Sequence, residues 1–126
     1  MTIATRAAAA KPEDTAGLLA ELSLFVACDG TTFEFSDGVV LPDNFPWTGR
    51  FHLLLTMDSP ESLLAAAMML LPEGWETAIY LGGVNTNVQM ETEAMRSGME
   101  YFSPIDATAS TPALALIAAI AQSKGV

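Results

Sequence analysis

One cysteine, one histidine and five basic residues in a chain of 126 leave little material for most protein chemistry. Cys28 cannot close an internal disulfide, and a zinc site, which needs several Cys or His ligands, has nothing to be built from. Cys28 falls at an apparent helix end and His52 within an apolar run, so the two do not read as a nucleophile and its base. They read instead as a buried structural thiol and a partly buried histidine. There is no Gly-x-Ser-x-Gly elbow and no glycine-rich phosphate loop after a strand. Between Pro12 and Ser123 only Arg50 and Arg96 are positive. Without a Lys/Arg patch there is no counterion release to drive binding to phosphates, which excludes direct nucleic-acid binding. The longest apolar stretch, Leu63 to Pro72, is about half of the roughly 20 residues a membrane helix needs, so no membrane span is expected.

What is present is apolar and acidic. The chain is 51% hydrophobic and 16% charged, the balance of a folded protein, and its length suits one hydrophobic core. Residues 1–10, with a lone Arg6 and an alanine tract, lack the basic start and strongly apolar centre of a secretory signal, and residues 1–12 read as a flexible arm. Residues 13–126 read as a single domain, with the cytoplasm as its default compartment. Fifteen acids against five bases give a formal net charge of −10. The acids are spread along the chain without a dense run, which suits a solvated surface or a basic partner.

Lys11-Pro12-Glu13-Asp14 opens a helix, since proline is tolerated in the first turn and carboxylates there complement the helix dipole. Leu18, Leu19, Leu22, Phe25 and Val26 form its apolar stripe, and Asp29-Gly30 stops it. Residues 31–35 and 39–41, separated by Ser36-Asp37-Gly38, predict a hairpin. Pro42 to Gly49 is dense in turn formers and reads as a loop, and 51–56 as a strand or the approach to the next helix. Asp58-Ser59-Pro60 starts a helix over 61–71, closed by Pro72-Glu73-Gly74. Residues 75–81 predict a strand, 82–87 a turn, and the alternation from Val88 to Glu93 a strand with one wet face. A short strand at 99–103 runs irregularly towards 107. Ser110-Thr111-Pro112 then opens a final helix over 112–123, apolar on every face until its polar ending. The expected fold is α/β of the α+β kind: a small, mainly antiparallel sheet with three helices packed on it.

Two segments carry a family resemblance. Residues 58–75 form an alanine/leucine helix closed by Leu-Pro-Glu-Gly-Trp, and 107–121 contain Ala-x-Thr-Pro-Ala-Leu-Ala-Leu before more Ala and Ile. In this order, with strands between, they resemble the bacteriophage α-β-α sandwich family over roughly half the chain. The resemblance implies a phage or prophage product with helices on both faces of a small sheet, a three-layer arrangement. It implies no activity, cofactor or catalytic residue.

The chemistry-bearing residues left over concern recognition. Trp47, Arg50 and His52 fall together, aromatic faces beside one of two interior cations, and Arg96 lies in a turn next to glycine. The four are the candidate ligand site, of a kind that stacks a base and holds a phosphate or carboxylate. Glu91, Glu93 and Glu100 are the carboxylates an enzyme or divalent-metal site would draw on. The reading preferred here is a non-enzymatic accessory protein without a cofactor, acting by binding, as in counter-defence against a host protein. A sponge for a nucleotide-type signal and a carboxylate-based enzyme are the alternatives. The all-round apolar helices also predict a homo-oligomer with helix 61–71 or 112–123 in its interface, because a sheet covers only one face of each.

Overall fold

The computed structural model describes residues 1–27, 30–43, 47–96 and 104–126. Among these, six helices and two small antiparallel sheets are found: α1 Ile3–Ala9, α2 Thr15–Val26, β1 Thr32–Glu34, β2 Val40–Pro42, α3 Thr48–Met57, α4 Pro60–Met68, β3 Trp75–Leu81, β4 Thr86–Thr92, α5 Glu93–Arg96, β5 Ile105–Ala109 and α6 Pro112–Lys124. β1 pairs with β2, and the second sheet has the order β3-β4-β5. No helix of the described residues is long and apolar enough to cross a membrane.

The segment expected as an arm contains α1. Thr2 caps it by accepting the Thr5 N–H, alanines propagate it, and Ile3 and Ala7, one turn apart, are buried against α6. The bidentate Arg6–Glu21 pair, at 2.6 and 2.8 Å, then ties α1 to α2. The 51–56 run, left between strand and helix by its continuous apolar character, is the body of α3. Spacing of four decides it: Trp47 packs on Phe51, and Phe51 and Leu55 are both buried.

The β1–β2 hairpin forms with the expected Ser36-Asp37-Gly38 turn. Gly38 sits at φ +87°, and the Phe35 N–H reaches the Val39 carbonyl at 2.8 Å. Helix α4 begins as its sequence predicts, with Ser59 and Ser62 capping each other's backbone N–H at 3.0 Å. It ends at Met68, earlier than expected, because Met69 and Leu70 turn off before Pro72. The alternation from Val88 ends at Thr92. Glu93 is therefore not a sixth strand position but the first-turn acid of α5. The expected strand at 99–103 and Cys28 lie outside the described residues.

Helix α6 is the centre of the molecule. Ala113 through Ala121 are all buried, with the inner faces of β3, β4 and β5 on one side and α1, α2 and α4 around the rest. Small Ala side chains at 113, 115, 118, 119 and 121 let all these neighbours approach. Thr111 caps its start, and Gly125 at φ +72° ends it with the Val126 N–H on the Ala121 carbonyl. Among the described elements, helices cover the face bearing Val88, Met90, Ala107 and Ala109. The opposite face carries Glu76, Tyr80, Gln89, Asp106 and Thr108, all exposed. Residues 113–121 of the helix expected in an oligomer interface are buried within one chain.

Candidate functional site

Of the four residues singled out from the sequence, Trp47, Arg50 and His52 lie at or on α3, and Arg96 ends α5. Trp47 precedes α3 and turns inward onto Phe51, with ring centroids 5.4 Å apart. Arg50 is exposed on the first turn of α3. His52 comes two residues later, roughly 200° further around the helix, and faces the hairpin. There its ring stacks on Phe35 and its Nε2 lies 2.8 Å from Asp37 Oδ2. The Val39 backbone N–H, and after it His52, hold the Asp37 carboxyl below the usual carboxylate range. Arg96 is the C-terminal residue of α5, after the strand that carries Glu91. Trp47 and His52 thus serve the packing around α3. Glu91 is half-buried on the outer sheet face, Glu93 is exposed on α5, and Glu100 lies outside the described residues. Among the described residues no group of three or more His, Cys, Asp or Glu side chains is arranged to hold a metal ion.

A different place has the geometry of a binding site. Three short Pro-led starts, at Pro12, Pro60 and Pro112, converge on a cleft of about 400 Å³ between α4, α6 and the turn that precedes α2. Its floor is Leu63, Leu64 and Ala113. Glu13, Asp58 and Glu61 line it as well, all three exposed, and among the described residues no lysine or arginine does. Each proline is there for a local reason: it occupies the first helical position, where the missing N–H has no intrahelical partner to lose. Asp58 is fixed by the corner between α3 and α4. One residue separates Met57, the end of α3, from the Ser59 cap of α4, and Asp58 takes the left-handed conformation at φ +50° to make the reversal. Aspartate tolerates that region better than most residues, so the turn and the charge are supplied by one side chain.

The cleft therefore combines an apolar floor with an anionic lining. A ligand anion entering it faces three carboxylates without a compensating cation, whereas an apolar group attached to a cation satisfies both parts. Each helix start was legible in the sequence, but nothing in the sequence says that three of them meet. No family model, curated protein or solved structure matches this chain.

Proposed function

We propose that the chain is a phage-encoded, non-enzymatic accessory protein that acts by binding in the host cytoplasm. Its partner is a host defence protein, which presents a basic side chain next to an apolar one. The observation that carries this reading is the cleft, with Leu63, Leu64 and Ala113 as its floor and Glu13, Asp58 and Glu61 along its lining. The net charge of −10 supports it at longer range, since a surface of one sign speeds encounter with a partner of the other. The resemblance of residues 58–75 and 107–121 to the phage α-β-α sandwich family supports the phage setting.

The test is an amide chemical-shift titration with two end-blocked peptides, one alternating Arg and Leu, the other Glu and Leu. The basic peptide is expected to shift Leu63, Leu64 and Ala113, more weakly as salt is added. The double variant Asp58→Asn, Glu61→Gln is expected to weaken that binding at least fivefold. Equal binding of the acidic peptide, or no shift at millimolar basic peptide, overturns the reading.

A further inference from the structure

Among the described residues strand β3 is an edge of its sheet, and β4 and α6 pack against it. Its backbone polarity follows from the register. The Gly82 N–H donates to the Asn85 carbonyl at 3.0 Å, which makes this pair a hydrogen-bonded one, and the pairs alternate from there. Tyr80, Ala78 and Glu76 therefore direct their N–H and C=O groups at β4. Leu81, Ile79, Thr77 and Trp75 direct theirs away from β4. The seven residues of the strand include no proline or lysine, and Glu76 is their one charge. Its far end is apolar and wet, with Leu81 at 75% and Val84, in the adjoining turn, at 86% exposure.

We propose that the chain forms a two-fold symmetric dimer through antiparallel pairing of β3 with β3 of a second copy, centred on Ala78. A second copy is the occupant that fits, because the strand is complementary to itself in this register. Thr77 then faces Ile79 of the second copy, and Trp75 faces Leu81, so every outward backbone group meets an outward group. Glu76 falls opposite Tyr80 and away from the second Glu76, which avoids a like-charge pair. Centring on Thr77 instead places Leu81 beyond the strand, opposite Glu73. Centring on Ile79 leaves Trp75 without a strand partner. Only the Ala78 register uses all seven residues, and it seats the half-buried Trp75 on the exposed Leu81 at both ends. The two sheets become one of six strands, with both copies of α6 on its covered faces.

The dimer is tested by sedimentation of the intact chain and by one register-specific cross-link. Sedimentation at high micromolar concentration is expected to give twice the 13.3 kDa chain mass, and to favour the dimer further at high salt, since each copy is strongly acidic. Leu81→Lys, at an exposed position, is expected to weaken the dimer at least tenfold. Thr77→Pro removes an N–H that points away from β4, so pairing with β4 survives while the edge loses a symmetric set of bonds. Far-ultraviolet circular dichroism confirms that each variant is folded. In a Cys28→Ser background, Ala78→Cys places its thiol on the symmetry axis and is expected to oxidise to a covalent dimer. Tyr80→Cys, facing Glu76 rather than itself, is expected to stay reduced. A mass of one chain at every concentration overturns the proposal. So does a dimer that tolerates Leu81→Lys and leaves Ala78→Cys unlinked.

Discussion

Phe35 and His52 lie face to face, their ring centroids 3.8 Å apart and their planes 6° from parallel. Phe33 meets Phe35 edge-on at 4.9 Å, and Asp37 holds the far nitrogen of the imidazole. A hairpin of two three-residue strands is too short to stand alone in water. This aromatic and hydrogen-bonded clasp, with the buried Leu41, fixes it to α3.

Removing the clasp is expected to loosen the hairpin before the rest of the molecule. His52→Ala forfeits a stacked pair worth about 1 kcal/mol. Hydrogen exchange is expected to quicken at the Phe35 and Val39 amides while α6 amides keep their protection. Equal acceleration in both places counts against a local role.

Acid is expected to act at the same clasp. Asp37 has a folded pKa held below its ordinary value by the Val39 N–H and His52. Its contribution is therefore fully present above about pH 4, the ordinary aspartate range, and is lost as pH falls through the lower folded value. Glu21, lowered chiefly by its hydrogen bonds from Arg6, follows the same sign, though solvent screens so exposed a pair and keeps its contribution small. Thermal melts of Asp37→Asn are expected to lose less stability between pH 5 and pH 3 than those of the parent chain. A parallel decline in both removes Asp37 from the account.

Core truncation should distinguish the central helix from the outer ones. Ile117→Ala opens a void where no neighbour has slack, with an expected cost of about 2–5 kcal/mol. Phe25→Ala, at 58% exposure on α2, is expected to stay within about 0.5 kcal/mol. Urea midpoints at unchanged slope measure both.

The β3–β4 turn gives a matched pair of glycine tests. A Cβ on Gly82 lands 2.6 Å from the Asn85 carbonyl oxygen, so the backbone itself must move, whereas a Cβ on Gly83 meets nothing within 4 Å. Gly82→Ala is expected to cost about 1–3 kcal/mol, the range of an overpacked site, and Gly83→Ala much less. Comparable losses place the strain elsewhere in the turn.

The elements with their own punctuation were legible from the sequence. Ser59-Pro60 and Thr111-Pro112 announced α4 and α6, Ser36-Asp37-Gly38 announced the hairpin, and the alternation through Val88 and Met90 announced β4. Those identified only by what they touch were not. The α1 helix is weakly amphipathic and becomes ordered because Ile3 and Ala7 find α6. The 51–55 run is apolar enough for either period, and its fate rests on the contacts of Trp47 and Leu55. The candidate site was harder still. Trp47, Arg50 and His52 are neighbours in sequence, but a helix sends neighbours to different sides. Pro12, Pro60 and Pro112 are far apart in sequence and line one cleft. All-round apolarity in 113–121 was read as a demand for a second molecule. It reflects a helix enclosed by its own chain, because alanine is small enough to let several neighbours approach.

The central position of α6 also sets an order of events. Every other element that packs on it precedes it in the chain, so during synthesis α1, α2, α4 and the three strands emerge with their apolar faces uncovered. They stay so until residues 112–124 leave the ribosome. The contact of α6 with α1 spans nearly the whole chain, which is the kind of closure that slows folding. A nascent chain halted before Pro112 holds an exposed core and is a substrate for holding chaperones. Insertion of this one apolar helix is therefore expected to complete the core and to bring most of these elements together.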